Sequence, residues 1–339
     1  MITIKEMANR LGMSTTTVSN VIHGKTSEVS PATIELVEKA IREFGYVPNI
    51  SARNLAQNHS NIIGIAMKEK KGKYENLISD PFYGELVGAV EKIVRAKGYY
   101  LMMYISDDMD EIIKCVNTWN VDGLILASVS YEDVLRLRGS YKKPLVLIDC
   151  YNCAEDSCEV NITLDEQLGS CQITEYLIER GHRKMAYVAY GTEGVAGERY
   201  KGCLRALKKH NLPWDRDSFP VIGIGELGME GAMEAAYRLT GEYTALICGS
   251  DYYAAWLVNY LKDRGVRIPE DVSVTGFDDN EYARIVRPAL TTVSQNVMEK
   301  GMKAVRILTD LIGEKEAVKR NLLLPFKIVV RDSVKDLNA

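Results

Sequence analysis

Short apolar segments alternate with amphipathic or polar segments over most of this 339-residue chain. The pattern begins with IIGIAM at 62–67, continues with the amphipathic stretch ELVGAVEKIVRAKG at 85–98, and returns to an apolar segment, YYLMMYI, at 99–105. The later apolar segments are VDGLILAS (121–128), PLVLID (144–149), KMAYVAY (184–190), FPVIGI (219–224), TALICGS (244–250) and VSVTGF (272–277). Apolar strands joined by helices are typical of parallel sheets that are buried on both faces. The alternation therefore predicts an α/β fold with doubly wound parallel sheets, and its length predicts two lobes rather than one core.

The first 45 residues lack this alternation and have the spacing of short helices. Thr3 and Glu6 have the spacing of a capping box ahead of the first helical segment. Ser14 is placed to cap a second helix, and Ser30-Pro31 begins a third helix that Gly45 ends. Two short helices joined by a glycine-containing turn are typical of a helix-turn-helix, whose second helix lies in the DNA major groove.

The second helical segment, STTTVSNVIHG (14–24), carries short hydroxyl and amide side chains opposite an apolar face. Such side chains allow a helix to approach DNA closely and to hydrogen-bond with bases or phosphates. The residues predicted to face bases are Thr15, Thr16 and Asn20, and those predicted to cap the helix or bind phosphate are Ser14, Thr17 and Ser19. A helix whose polar face only contacts solvent is equally compatible with this segment.

The charge balance does not by itself indicate a nucleic-acid partner. The net charge is −4, and residues 1–60 contain six Lys/Arg against five Asp/Glu. Any contact with DNA must therefore come from a local surface, and a weakly basic module favours a dimer that doubles the contacts.

Three of the seven cysteines lie close together in DCYNCAEDSC (149–158). A structural zinc site needs four ligands, and this stretch contains no histidine. We therefore predict reduced thiols at Cys150, Cys153 and Cys158, and neither a metal site nor a cofactor.

Other patterns argue against an enzyme and against a membrane protein. The segment GIGELG (223–228) has the G-x-G-x-x-G spacing of a dinucleotide site, but it lies late in the chain, in what we predict to be a loop. The N-terminal MITIKEMANRLG carries charges instead of a signal-peptide apolar region, and no apolar run approaches the ~18 residues that span a bilayer. We expect a cytoplasmic protein that is not an enzyme and has no membrane contact.

The segments TIKEMANRLGMSTTTVSNVIHG and VSPATIELVEKAIREFGYVPNISARNLA resemble the DNA-binding headpiece and hinge of the LacI/GalR family of bacterial transcription regulators. Within that family, STTTVS is most similar to the purine-repressor branch. The resemblance continues in DPFYGELVGAVEKIVRAKGYYL, YLIERGHRKMAYV, IPEDVSVTGFDD and RPALTTVSQN, and covers essentially the whole chain. It implies a helix-turn-helix headpiece at 1–46, a hinge helix or linker at 47–60, and a two-lobed effector core at 61–339 that is similar to periplasmic binding proteins. The expected lobes are an N-lobe of about 61–161 and 292–323 and a C-lobe of about 162–291 and 324–339.

The resemblance also implies how the headpiece binds DNA. It places Thr15, Thr16 and Asn20 where the family reads major-groove bases, and Leu55 where the family wedges a leucine into the minor groove at a central CpG step. An apolar wedge unstacks a base step and kinks the duplex, and the wider contact that follows offsets this cost. A core leucine of a short helix is the alternative for Leu55. Asn20 and Ala56 differ from the residues of other members, so the operator sequence does not follow from the resemblance.

Polar residues at the ends of predicted strands mark a candidate ligand site between the lobes, where two-lobed α/β proteins bind their ligands. Asp149 ends PLVLID, Asp278 follows VSVTGF, and Arg199 lies in the predicted loop after KMAYVAY. The resemblance implies that Arg199, in RYKG, and Asp278, in GFDD, bind the hydroxyls or carboxylates of an effector. A surface ion pair at Arg199 and a simple turn at Asp278 are the alternatives.

Phe82 and Tyr83, in DPFYGE, match an aromatic position that lines this pocket from the opposite lobe, although core packing is an alternative for Phe82. Ser250, just past TALICG, is a further candidate. GTEGVAGE, ahead of Arg199, does not reproduce the purine-repressor pattern, so a sugar is expected rather than a purine. We therefore predict a repressor that binds a pseudo-palindromic operator as a homodimer and responds to a small-molecule effector. A sugar-binding transport protein with the same core is the rival prediction, which the headpiece disfavours.

Overall fold

The computed structural model describes residues 2–46, 59–70, 76–153, 159–314 and 321–339. The chain divides into two compact units, Met1–Ser60 and Asn61–Ala339. The division falls where the sequence changes from helical spacing to alternating apolar and amphipathic segments.

Three helices form the first unit: α1 (Ile4–Leu11), α2 (Thr15–Ile22) and α3 (Pro31–Phe44). The predicted capping box is present, because Thr3 Oγ1 accepts from the Glu6 N–H and Glu6 Oε2 accepts from the Thr3 N–H. Gly12 takes the left-handed conformation, with φ of 63°, and turns the chain between α1 and α2. Apolar side chains of all three helices form one small core: Met7, Ala8, Val18, Val21, Val37 and Ala40.

Ser14 fixes the start of α2, as the sequence predicts. Its Oγ accepts from the Thr17 N–H at 3.0 Å and hydrogen-bonds with Thr17 Oγ1 at 2.8 Å. This cap satisfies one of the free N–H groups at the helix start. The apolar face of α2 buries Val18 and Val21, so its hydroxyl side chains are left on the other face.

The first sheet of the second unit contains six parallel strands in the order β11-β5-β4-β3-β1-β2. The strands are β1 (Ile62–Lys68), β2 (Tyr100–Ser106), β3 (Gly123–Ala127), β4 (Leu145–Ile148), β5 (Val160–Thr163) and β11 (Asn321–Leu323). The helices that accompany this sheet are α4 (Pro81–Ala96), α5 (Met109–Trp119), α6 (Tyr131–Ser140) and α12 (Val297–Ile312). Every residue of β3 and β4 is buried, which explains why these segments are apolar throughout.

The second sheet has the order β12-β10-β9-β8-β6-β7, and only β12 runs antiparallel to its neighbour. The strands are β6 (Met185–Ala189), β7 (Val221–Gly223), β8 (Ala245–Cys248), β9 (Ser273–Asp278), β10 (Thr291–Ser294) and β12 (Lys327–Val329). The helices are α7 (Glu166–Glu179), α8 (Gly194–Lys209), α9 (Ile224–Leu239), α10 (Asp251–Asp263) and α11 (Glu281–Ile285). The two sheets confirm the predicted doubly wound α/β architecture.

The chain passes from one sheet to the other slightly later than the sequence predicts. Ile162 still pairs with strands of the first sheet, so that passage follows β5 at Thr163. Ser294 still pairs with Asp278 in the second sheet, so the return follows β10. The strand pairing sets these limits, because a strand leaves its sheet only after its last backbone hydrogen bond.

The predicted loop at GIGELG is wrong. Gly223 ends β7 and α9 begins at Ile224, so the segment turns directly from an edge strand into a helix. A Cβ at Gly225 would lie 2.8 Å from the Tyr190 carbonyl oxygen, which explains the need for glycine at this junction. Gly228, with φ of 70°, is the point where the helix is kinked.

Candidate functional site

A cavity lies between the carboxyl ends of the strands of the two sheets. Its lining includes all six residues predicted for the ligand site: Phe82, Tyr83, Asp149, Arg199, Ser250 and Asp278. The residues that the sequence analysis did not identify are Asp80, Ser128, Ala189, Tyr190, Val195, Ala196, Gly249 and Tyr253. The first sheet contributes one wall and the second sheet the other, which is the arrangement expected for a ligand enclosed by two lobes.

Arg199 lies in the second turn of α8 and not in a loop, which corrects the prediction. Helix α8 begins at Gly194, shortly after β6, so the loop between them is short. The alternative of a surface ion pair is also wrong, because Arg199 is 7% exposed. A Cβ at Gly202 would lie 2.3 Å from the Gln167 carbonyl oxygen, so this glycine allows α8 to pack closely on α7. That close packing brings Arg199 near Glu166 at the start of α7.

The Arg199 guanidinium joins three buried acceptors. Its Nε donates to Glu166 Oε2 at 2.7 Å, its Nη1 donates to the Gly249 carbonyl at 2.6 Å, and its Nη2 lies 3.4 Å from Asp278 Oδ1. The guanidinium also stacks on the Phe277 ring, 3.6 Å from its centroid. Burial acts to lower the pKa of the Arg199 guanidinium, but the negative charges of Glu166 and Asp278 have the larger effect and raise this pKa. Burial raises the pKa of the Asp278 carboxyl well above its usual value, and Arg199 opposes this rise.

Asp149 is neutralised by a lysine that sequence analysis missed. Lys300 is fully buried, and its Nζ donates to both Asp149 oxygens, at 2.7 and 2.8 Å, and to Gln295 Oε1 at 2.9 Å. Gln295 Nε2 in turn donates to Asp278 Oδ1 at 2.6 Å. A continuous polar chain therefore runs from Lys300 under the first sheet to Arg199 in the second. The available signal was that Lys300 shares the inward face of α12 with apolar residues three and four positions away.

The aromatic side of the cavity is built at the start of α4. Asp80 caps this helix, since its Oδ1 accepts from the Phe82 N–H at 2.9 Å. The Phe82 and Tyr83 rings meet edge to face with centroids 5.1 Å apart, and the Tyr83 hydroxyl donates to Ser128 Oγ at 3.0 Å. Phe82 is half-buried and lines the cavity while it also packs on the core of the first sheet. Ring faces next to carboxylates and a guanidinium suit a ligand with apolar faces and a hydroxylated edge.

Another buried carboxylate, Asp251, lies on α10 directly after the cavity residue Ser250. Asp251 Oδ1 accepts from Thr292 Oγ1 at 2.6 Å, and its Oδ2 accepts from the Asn280 N–H at 3.0 Å. A Cβ at Gly276 would lie 2.0 Å from Asp251 Oδ1, so glycine is required there. Burial raises the pKa of Asp251 to about 6, and its two hydrogen bonds only partly oppose the rise.

The raised pKa of Asp251 predicts a pH-dependent stability. The folded state binds this proton more tightly than the unfolded chain, so the stabilisation is full below the unfolded pKa and is lost as the pH rises through about 6. Asn has the size of Asp and no charge. We therefore expect the free energy of unfolding of Asp251→Asn to rise by roughly 1.5 kcal/mol relative to that of the wild type between about pH 5 and about pH 8. Urea unfolding of both proteins across this range measures the difference, and parallel stability curves would contradict the assignment.

The polar face of α2 is accessible within the first unit. Thr15 and Thr16 are exposed and Asn20 is half-exposed, as base-reading residues must be. Ser14 and Thr17 take part in the cap, whereas Ser19 is half-exposed without a cap role. Leu55 lies outside the described residues, so its predicted position as a wedge stays a prediction.

Comparison with known proteins connects both units to one family. Residues 3–49 match the profile for bacterial regulatory proteins of the lacI family, and residues 174–334 match that for a periplasmic binding protein-like domain. The HTH-type transcriptional repressor PurR of Vibrio atlanticus is 33% identical over the full length of both chains. The chain belongs to the LacI family of bacterial regulatory proteins. The HTH-type transcriptional regulator RegA of Clostridium saccharobutylicum is 31% identical, over 97% of this chain and 98% of RegA.

Solved structures show the same fold for this LacI-family chain. The transcriptional regulator CelR in complex with cellobiose is 28% identical, covers 98% of this chain and all of CelR, and has a TM-score of 0.69. The lac repressor dimer bound to operator and an anti-inducer is 24% identical, over 98% and 99% of the chains, with a TM-score of 0.81. The chain is thus a LacI-type transcriptional repressor with a helix-turn-helix DNA-binding domain and an effector-binding core, and not an enzyme.

Two further predictions concern metals and membranes. In the parts of this LacI-family chain that the structure describes, no group of three or more His, Cys, Asp or Glu is placed to hold a metal ion. Cys158 lies outside these parts, so the prediction of reduced thiols without a metal remains a prediction for the whole DCYNCAEDSC segment. Within the same described ranges, no helix combines the length and apolar character needed to cross a membrane.

Proposed function

We propose that this LacI-family chain represses transcription as a homodimer on a pseudo-palindromic operator, and that a sugar bound between its two lobes controls it. The proposed division is a headpiece at 1–46, a hinge helix or linker at 47–60, and an effector core at 61–339. The observation that carries the proposal is the cavity in which Arg199 and Asp278 of one lobe face Asp149 and Phe82 of the other. A ligand that contacts both walls binds the closed arrangement of the lobes more tightly than the open one. It shifts the equilibrium towards the closed arrangement by this difference in binding free energy.

The chemistry of the cavity favours a polyhydroxylated ligand. Carboxylates and a guanidinium form paired hydrogen bonds with neighbouring hydroxyls, and the rings of Phe82 and Tyr190 provide apolar faces against which a sugar ring packs. Arg199 is the only described Lys or Arg among the lining residues, and it is already paired with Glu166 and Asp278, which disfavours phosphate and carboxylate ligands. The related regulator CelR was solved with cellobiose, which supports a neutral sugar as the effector class.

A thermal-shift panel of sugars, sugar phosphates and purines tests this proposal. We expect a neutral sugar to raise the melting temperature of the wild type and Phe82→Ala to lose most of the rise, because the ring face is removed from the cavity wall. Trp214→Ala is the matched control, since Trp214 is a 48% exposed aromatic residue outside the cavity. A shift produced by a purine or a sugar phosphate, or one that Phe82→Ala retains in full, would argue against a neutral sugar in this cavity.

The exposed residues of α2 support the proposed mode of DNA binding. Thr15, Thr16 and Asn20 present hydroxyl and amide groups that suit hydrogen bonds to base edges, and we assign Ser19 to a phosphate contact. The second helix of a helix-turn-helix enters the major groove with its first residues next to the bases. Thr15 and Thr16 are the first two residues of α2.

Exposed apolar residues in the second unit support a homodimer. On the first sheet, Tyr100 and Met103 of the edge strand β2 are 58% and 44% exposed. On the second, Trp256 and Ile285 are 49% and 60% exposed beside one groove. Contiguous exposed apolar surface is where one protein surface commonly covers another. A symmetric dimer would present two headpieces to two operator half-sites.

Leu55→Ala tests the predicted minor-groove wedge. We expect this substitution to weaken binding to the specific operator much more than binding to random duplex DNA, because only the kinked complex uses the wedge. Operator fragments selected from random sequence by the wild-type protein supply the specific site, and titration in fixed salt gives both affinities. Leu36→Ala, at a 44% exposed leucine of the same unit, is the control. Equal losses on both DNAs would exclude the wedge.

A further inference from the structure

Two thiols lie beside the cavity and take no part in the site described above. Cys150 directly follows the cavity residue Asp149 and is 6% exposed, whereas Cys153 is partly exposed. Cys153 Sγ lies 3.8 Å from the Cys150 carbonyl oxygen, and Cys150 Sγ lies 3.8 Å from the Tyr151 carbonyl oxygen. They therefore form a close pair rather than two isolated cysteines, and Cys150 is the residue next to Asp149 in the cavity wall.

The surroundings distinguish Cys153 from the other described cysteines. Hydrogen bonding from the Cys150 thiol lowers the pKa of Cys153, although burial opposes it. The same hydrogen bond, together with burial, raises the pKa of Cys150. Burial raises the pKa of the four remaining described cysteines: Cys115, Cys171, Cys203 and Cys248. A thiolate is the nucleophilic form of cysteine, so Cys153 is the reactive member of the set.

An asparagine holds the pair in place. Asn161 on β5 is 4% exposed, and its Oδ1 accepts from the Cys150 N–H at 3.2 Å. Its Nδ2 donates to the Cys150 carbonyl at 3.1 Å and lies 3.8 Å from Cys153 Sγ. The amide therefore fixes the backbone of the buried cysteine and directs a donor at the sulfur of the exposed one. Stabilisation of the Cys153 thiolate is thus a consequence of the geometry.

We propose that Cys150 and Cys153 are a reversible redox pair that closes into a disulfide on reaction with a hydroperoxide. The Cys153 thiolate attacks the peroxide, the O–O bond breaks, and an S–O bond forms while the leaving alkoxide takes a proton and departs as alcohol. The Cys150 sulfur then attacks the Cys153 sulfur, the S–O bond breaks, and the hydroxide leaves with the Cys150 proton as water. The pair loses two electrons, which reduce the hydroperoxide, and a dithiol reverses the reaction.

Tyr151, one of the two residues between the thiols, connects the pair to both lobes. The Tyr151 N–H donates to the Val129 carbonyl at 3.2 Å, and its own carbonyl accepts from the Tyr131 N–H at 3.1 Å, next to the cavity residue Ser128. The Tyr151 ring faces Gly194 at the start of α8, where an added Cβ would lie 3.3 Å from the ring. Formation of an S–S bond of about 2.05 Å pulls the Cys153 sulfur towards the Cys150 sulfur. Oxidation therefore acts on the segment that holds Asp149 in the cavity lining and Tyr151 in the lining of the adjoining groove.

Peptide mass spectrometry of the full chain tests the proposal. The reduced protein is treated with tert-butyl hydroperoxide, and we expect a Cys150–Cys153 disulfide that dithiothreitol removes and that Cys153→Ser abolishes. Cys158→Ser should retain the bond. With iodoacetamide at neutral pH we expect Cys153 to react about tenfold faster than Cys115, which is a partly exposed cysteine on α5. Cys115→Ser is the matched control. Equal reactivity of the two cysteines, a disulfide to Cys158, or oxidation of Cys153 to a stable sulfinic acid would overturn the proposal.

The consequence for the cavity rests on the proposed function and is measured separately. We expect oxidation to weaken the binding of the sugar found in the thermal-shift panel by about fivefold or more in the wild type and not in Cys153→Ser. If no sugar binds to the reduced protein, the proposed effector class fails, while the mass measurement still decides whether the redox pair exists. A disulfide that forms while sugar affinity stays unchanged would limit the proposal to a modification without regulatory effect.

Discussion

Replacement of Arg199 by alanine is expected to reduce the free energy of unfolding of the core by about 3–5 kcal/mol. The side chain is 7% exposed and is the only described cation that contacts both Glu166 and Asp278. Its loss leaves two buried carboxylates without a counter-charge and the Gly249 carbonyl without its donor. Removing one member of a buried ion pair costs far more than the pair contributes, because the remaining charge has no solvent. Urea titration at neutral pH measures the effect.

The pH dependence of the stability lost in Arg199→Ala shows whether the loss comes from an unpaired buried charge or from missing packing contacts. Since Arg199 opposes the rise in the Asp278 pKa, its removal lets that pKa rise further, and protonation then relieves the unpaired charge. We expect the loss to shrink from about pH 7.5 to about pH 5.5, and the added change Asp278→Asn to recover part of it. Arg238→Ala, at an exposed arginine paired with Glu234, should change stability by no more than about 0.5 kcal/mol. A loss that is the same at both pH values would indicate packing alone. The sugar-dependent thermal shift should disappear in Arg199→Ala.

Lys300→Met is expected to lower the free energy of unfolding by about 3 kcal/mol or more, because it removes the counter-charge of Asp149. Lys300 is fully buried and neutralises both oxygens of Asp149. Methionine fits the apolar stem of the lysine, but it leaves the Asp149 carboxylate and Gln295 Oε1 without their donor. The double variant Asp149→Asn/Lys300→Met has no uncompensated charge, so we expect it to be clearly more stable than Lys300→Met alone. Asparagine also tolerates the left-handed backbone of residue 149, whose φ is 51°.

A double-mutant cycle in urea measures the coupling between these two side chains. Lys303→Met is the matched control, since Lys303 lies on the same helix with 36% of its side chain exposed and pairs with Glu299. We expect the control to change stability by no more than about 0.5 kcal/mol. If the losses of Asp149→Asn and Lys300→Met simply add in the double variant, the buried pair is not what stabilises this part of the first lobe.

The helices and strands were predictable where the signals are local. The capping box at Thr3 and Glu6, the cap at Ser14 and the glycine end of α3 are all present, because each depends on residues within one turn. The apolar segment at 62–67 became a strand for a similar reason, as a run without polar side chains must be buried on both faces. The loop predicted at GIGELG failed, because glycine spacing does not show whether a helix begins at once.

The candidate site was predictable only in part. The strand ends located Asp149 and Asp278, and the family resemblance placed Arg199 and Phe82 with them, so all of these reach one cavity. Their roles in binding stay predictions until the cavity is tested with ligands. Lys300 was not found, because it lies in an amphipathic helix 151 residues from Asp149 in sequence. Its place on the apolar face of α12 indicates burial, but no local pattern identifies a partner that follows β4.

The sequence by itself determined the class of fold, the helix-turn-helix spacing and the kinds of side chain that reach the strand ends. These properties follow from hydrophobic periodicity and capping, which act between near neighbours in the chain. Only the tertiary structure decided that Arg199 is tied to Glu166 and Asp278, and that Lys300 neutralises Asp149. The pairing of buried charges depends on which groups lose water together when distant segments pack, and that is set by the completed fold.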